Sequence, residues 1–152
     1  MKQIILTLLF FVGFQQFLVA QELVEKEGNY FLNGEPYSGV WKTYYDSGSI
    51  KMEAHFKNGM KNGKTLIYFE DGQLNEIRSY KMNEMHGKWV MYNSHNIKIS
   101  VANYKNGLKD GKWTIWNDYG NLLYELQYSN GEKTGVWKNY NEKGELISER
   151  KY

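Results

Sequence analysis

Cysteine is absent from this 152-residue chain, and proline occurs once, at Pro36. Without cysteine there are no disulfides and no thiolate metal site, so the fold rests on packing and backbone hydrogen bonds. That single proline leads into Tyr37-Ser38 and the first repeat glycine. Charge of one sign is also missing: 19 Lys and Arg face 17 Asp and Glu. That balance gives no basic stripe, and nucleic acid is not an expected partner. Long apolar runs are confined to the N-terminus, where Lys2 precedes Ile4–Phe14 and Leu18-Val19-Ala20 precedes Gln21. A charged start, an apolar stretch shorter than the ~20 residues of a membrane span, and a small residue before residue 21 predict a cleaved export signal over residues 1–20. The expected localisation is therefore periplasmic, cell-surface or secreted, with retention of the segment as an anchor as the alternative.

Glycine and aromatics are what the chain has in quantity, and both recur every 24 residues. Gly39, Gly63, Gly87, Gly111 and Gly135 open successive units, and positions below are counted from that glycine. Position +2 holds Trp41, Thr65, Trp89, Trp113 and Trp137. Position +5 holds Tyr44, Tyr68, Tyr92, Trp116 and Tyr140, and position +17 holds Phe56, Tyr80, Tyr104, Tyr128 and Tyr152. A fixed period without slippage marks a repeat architecture. Glycine also stands at +9 and +20, except where Asn96 and Asn83 replace it. Asparagine tolerates positive φ best after glycine, so every copy meets one backbone requirement. Strand-length segments rich in Tyr, Trp, Ile and Val between such turns predict consecutive β-hairpins. Residues 21–36 read as a charged lead-in and a partial hairpin turning at Asn33-Gly34, which starts the sheet; residues 37–152 are five full units. The predicted fold is all-β: an elongated, twisted, single-layer antiparallel sheet.

One detail stays open at this level. In the first strand, +2 and +5 differ by an odd number, so either both faces carry aromatics or a bulge realigns them. In the second strand, +11 and +17 share parity and are expected on one face.

The stretches YSGVWKTYYDSG, YKNGLKDGKWTIW and YSNGEKTGVWKNYNEKG resemble the MORN repeat in its bacterial variant. The resemblance covers residues 37–152, extends to 29–36, and departs at Thr65 and at Ser94-His95-Asn96. It implies a string of hairpins acting as a binding scaffold, with protein, membrane-lipid or self-association roles. Some bacterial members are antitoxins; an export signal turns that role into an immunity-like one against a toxin partner.

Chemistry is sparse. His55, His86 and His95 fall at unrelated unit positions with no ligand spacing, so no metal site is expected. Gly59 to Thr65 imitates a phosphate loop but spaces its glycines one residue too closely, and no helix follows. Carboxylates such as Asp118 and Glu142 sit in turns, and no nucleophile motif occurs. The expectation is a non-enzymatic protein without cofactor. Tyr44, Tyr68, Tyr92, Trp116 and Tyr140 are expected to stack along the sheet and are the candidate partner-binding residues, with Lys64, Lys88 and Lys112 as a rim. An exported scaffold for a partner protein is the first reading; an envelope module for glycan or an anionic membrane surface is the second.

Overall fold

The computed structural model describes residues 22–152; the predicted export signal lies outside the described residues. The described chain is built of strands joined by turns: β1 Leu23–Lys26, β2 Asn29–Leu32, β3 Glu35–Pro36, β4 Gly39–Tyr44, β5 Ile50–Lys57, β6 Met60–Tyr68, β7 Leu74–Lys81, β8 Glu84–Met85, β9 Gly87–Tyr92, β10 Lys98–Lys105, β11 Leu108–Lys109, β12 Gly111–Trp116, β13 Leu122–Ser129, β14 Glu132–Tyr140 and β15 Leu146–Lys151. β4 to β15 form one antiparallel sheet in sequence order, with the short β8 and β11 pairing beside β7 and β10. Residues 29–36 do not start that sheet. β1, β2 and β3 form a separate three-stranded sheet, because β2 finds its partner in the charged lead-in, with Val24 opposite Phe31 and Glu25 opposite Tyr30.

The turns follow from their residues. End-of-unit turns place two residues at positive φ, as in Asn58 (50°) and Gly59 (77°), the hairpin geometry that Asn-Gly favours. Asn83 (69°) and Asn96 (58°) hold the same left-handed conformation where glycine is missing. Each end turn is tied to its own unit: the amides at +20 of Gly59, Asn83, Gly107 and Gly131 donate to the carbonyls of Tyr37, Lys61, Met85 and Lys109.

A bulge settles the parity question. Thr43 pairs with Met52 but Tyr44 pairs with Ile50, leaving Lys51 extra, and the other units slip at the same place. The extra residue at +12 breaks the alternation. Position +11 therefore pairs with +5, while +17 pairs with the leading glycine, whose parity is opposite. The two second-strand positions expected on one face are thus divided between faces.

On one face, which we call the ladder face, the +2 and +17 rings alternate. From Tyr80 through Trp89, Tyr104, Trp113, Tyr128 and Trp137 to Tyr152, successive centroids lie 4.8–5.6 Å apart at tilted to edge-on angles. These are the favoured offsets for aromatic pairs. Three indoles are anchored as well: Trp89, Trp113 and Trp137 donate from Nε1 to the carbonyls of Ser79, Asn103 and Gln127 at 2.9–3.0 Å. The most buried residues, Ala54, Thr65 and Phe56, share this face in the first two units. There the N-terminal sheet lies over them, with Tyr30 ring-to-ring on Phe56 at 4.7 Å.

Candidate functional site

The candidate residues fall on the face opposite the ladder. The +5 side chains share it with +3 and +14: Tyr140 donates its hydroxyl to Glu125 at 2.8 Å, and Glu125 pairs in turn with Lys112. Lys64, Lys88 and Lys112 are exposed on the same face, where the rim was expected. The expected stacking does not occur. Among the described residues no aromatic pair includes Tyr44, Tyr68, Tyr92, Trp116 or Tyr140. Rings one hairpin apart are separated by two strand spacings, roughly 9.6 Å, beyond the ~7 Å limit of a ring pair. The intervening places belong to Ile50, Leu74, Lys98, Leu122 and Leu146. Sequence reasoning named a file of rings correctly but assigned it the packing that +2 and +17 perform.

The middle row of this face is apolar at its centre and charged at its ends. Leu66, Ile77, Val90 and Val101 follow one another across neighbouring strands, and Val90 is buried. Lys42 meets Glu53 at 2.8 Å at one end, and Lys112 meets Glu125 toward the other. These contacts account for the displaced acidities. Hydrogen bonds from Lys112 and then Tyr140 hold the Glu125 carboxyl below its ordinary value, and Glu53 raises Lys42. Burial raises the phenols of Tyr68 and Tyr104. Lys42 with Glu53 and Lys112 with Glu125 are ion pairs between neighbouring strands, and Tyr104 belongs to the ladder.

The histidines sit apart. His55 Nδ1 lies 2.8 Å from the Lys64 carbonyl, so that nitrogen carries the proton. Ser79 Oγ and the Asn103 amide reach the Lys88 and Lys112 carbonyls from the same unit position, +16. His55 is therefore one version of a repeated clasp between hairpins. Among the described residues no three metal-ligating side chains gather. No helix among them is long and apolar enough to cross a membrane. Depressions are shallow, such as one of about 240 Å³ lined by Lys112, Glu125, Gln127, Val136 and Lys138.

A second device was missed by the sequence reading. Residue −2 of every unit but the third sits over ladder rings; in the third it is Met85, and Arg78 lies over Trp89 at 5.4 Å. Lys109 Nζ lies 4.6 and 4.9 Å from the Trp113 and Tyr128 centroids, and Lys133 Nζ 4.5 and 5.0 Å from Trp137 and Tyr152. Tyr37 takes the same place over Trp41 and Phe56, at 5.8 Å from each. In the second unit Thr65 supplies no ring, and Lys61 instead lies over Tyr80 and over Tyr30, at 5.6 and 5.1 Å. Tyr30 thus stands in for the missing indole. The period of the lysines was legible, but their meaning needed the ladder.

No curated protein matches this chain. The family model for the MORN repeat variant matches residues 37–58, 61–82, 109–130 and 133–152. The third unit lies outside those matches, yet its strands β9 and β10 pair with the same slip before Tyr92. Repeats of this family are generally binding or scaffold modules rather than enzymes. With hairpin, bulge and ladder repeated at the family's spacing over more than half its length, the chain belongs to the MORN repeat variant family.

Proposed function

We propose that this chain is an exported, non-enzymatic scaffold that binds a partner protein in an immunity-like manner, masking a toxin. The observation that carries the reading is the +5 row. Tyr44, Tyr68, Tyr92, Trp116 and Tyr140 occur once per hairpin, pack against no other ring among the described residues, and lie half-buried to exposed beside Lys64, Lys88 and Lys112. Tyr44 is 57% exposed. Tyr and Trp dominate protein-binding hot spots, and a periodic row of them suits an elongated contact. Export rests on the N-terminal apolar run, which fits a leader better than any strand of the repeat.

The test is capture with the purified chain from an envelope extract, followed by reconstitution with the captured protein. A stoichiometric partner whose binding weakens at least tenfold in Tyr92→Ala or Trp116→Ala, with little change in melting temperature, supports the scaffold. Steep loss of melting temperature with unchanged binding makes these rings structural. Retention on peptidoglycan or anionic vesicles, without a protein partner, favours the ligand module, and cytoplasmic fractionation of the native protein removes export.

A further inference from the structure

The ladder face already holds one short segment, where the turn after β1 leads into β2, and that segment belongs to the chain itself. Residues 28–30 run along the end-turn margin from the second unit to the first: the Asn83 side chain donates to the Gly28 carbonyl at 3.0 Å, and the Tyr30 amide donates to the Gly59 carbonyl at 2.7 Å. Tyr30 lays its ring on the ladder beneath Lys61. The stretch around it, residues 22–36, is acidic, with Glu22, Glu25, Glu27 and Glu35 against Lys26.

The same groups recur beyond the point where this segment stops. Gly107 and Gly131 occupy the position of Gly59 in later units. Their carbonyls accept no turn or loop hydrogen bond among the described residues. Gly59 is buried, Gly107 half-buried and Gly131 exposed. Lys109 and Lys133 hold their ammonium groups over ring pairs as Lys61 does. On the ladder face of units three to five, strand parity leaves Lys109, Lys133 and Arg150 as charges and no carboxylate; Asp110 and Glu132 lie at the alternate parity. The margin is thus basic, aromatic and furnished with free carbonyls. Its repeat of roughly 9.6 Å, two strand spacings, is close to the ~9.3 Å advance of three residues of extended polyproline-type backbone. A chain lying across the hairpins in that conformation would bring every third residue to an equivalent place.

We infer that the ladder margin of units three to five, from Gly107 to Lys133, receives an acidic segment of a partner protein, docked as Gly28–Tyr30 is docked by units one and two. This rests on the reading that the chain binds protein, and it adds a contact on the face opposite the +5 row. Carboxylates meet Lys109 and Lys133, a ring or apolar side chain lies against the ladder, and backbone amides reach the Gly107 and Gly131 carbonyls.

A synthetic peptide of residues 22–36, carrying a fluorophore, serves as the probe in an anisotropy titration against the full chain. Saturable binding is expected, weakened at least tenfold by Lys109→Glu with Lys133→Glu, and likewise by Tyr30→Ala in the peptide. The pair Lys64→Glu with Lys88→Glu, on the other face, should change it less than threefold. If the reversed variant melts early, Lys109→Gln with Lys133→Gln keeps much of each stem over the rings and carries the test. Three results overturn the inference: no saturable binding, binding indifferent to residues 109 and 133, or equal loss from the opposite face. So does association of the chain with vesicles of three parts phosphatidylcholine to one part phosphatidylserine while the peptide stays free. A protein partner captured as above but unaffected by residues 109 and 133 would sink this inference and leave the scaffold reading standing.

Discussion

Removing the Tyr30 ring should expose how the repeat tolerates Thr65. The ring contacts Phe56 at 4.7 Å and lies under Lys61, over the most buried part of the sheet, where Ala54 is 0%, Thr65 4% and Phe56 6% exposed. A ring pair contributes about 1 kcal/mol beyond burial. Tyr30 is only half-buried, so the apolar burial term is about 1 kcal/mol, half of a full side chain. The lysine contact adds about 0.5 kcal/mol. Tyr30→Ala should therefore cost about 2.5 kcal/mol, read as a shift of the urea midpoint at unchanged slope. Thr65→Trp alone should also destabilise, by ~1–3 kcal/mol, because the indole meets Tyr30 in a filled slot. Together the two should interact favourably by more than ~1 kcal/mol, since the introduced indole would then fill the place that Trp89 and Trp113 fill in their own units. Additive effects, or a neutral Tyr30→Ala, would refute the substitution of one ring for the other.

Asn96 adopts φ +58° where other units use glycine; Asn96→Ala should cost about 1 kcal/mol and Asn96→Gly close to nothing, by chemical denaturation. Trp113→Phe keeps a ring in the ladder but loses the 2.9 Å bond to the Asn103 carbonyl, so about 1 kcal/mol should go, by the same measurement. Glu125 has its folded pKa lowered from 4.5 by Lys112 and Tyr140. Its stabilising share is thus present above that value and lost as pH falls through the lower, folded one. Glu125→Gln should flatten the acid limb of the stability curve below about pH 5.

Hairpins, their length and their turns were legible because the backbone demand is local. A residue at positive φ announces itself as Gly or Asn, and Asn83 and Asn96 kept the pattern where glycine failed. The roles of the rings were less legible. Alternation along a strand assigns faces only until a bulge intervenes, and the residues at +12, from Lys51 to Ile147, carry no common side chain that would mark one. The +5 file was accordingly given the stacking that belongs to +2 and +17. The candidate site was half legible: its residues were named and its lysine rim lies on the same face, but its rings do not touch.

By itself the sequence determined the period, the strands and turns of the repeat units and the family, because each depends on contacts within a few residues or on exact recurrence. Only the tertiary structure decided which rings pair, which face is left for a partner, and that Tyr30 fills the gap at Thr65. Tyr30 reaches that place through Phe56 and Lys61, 26 and 31 residues further along the chain, contacts that no spacing records.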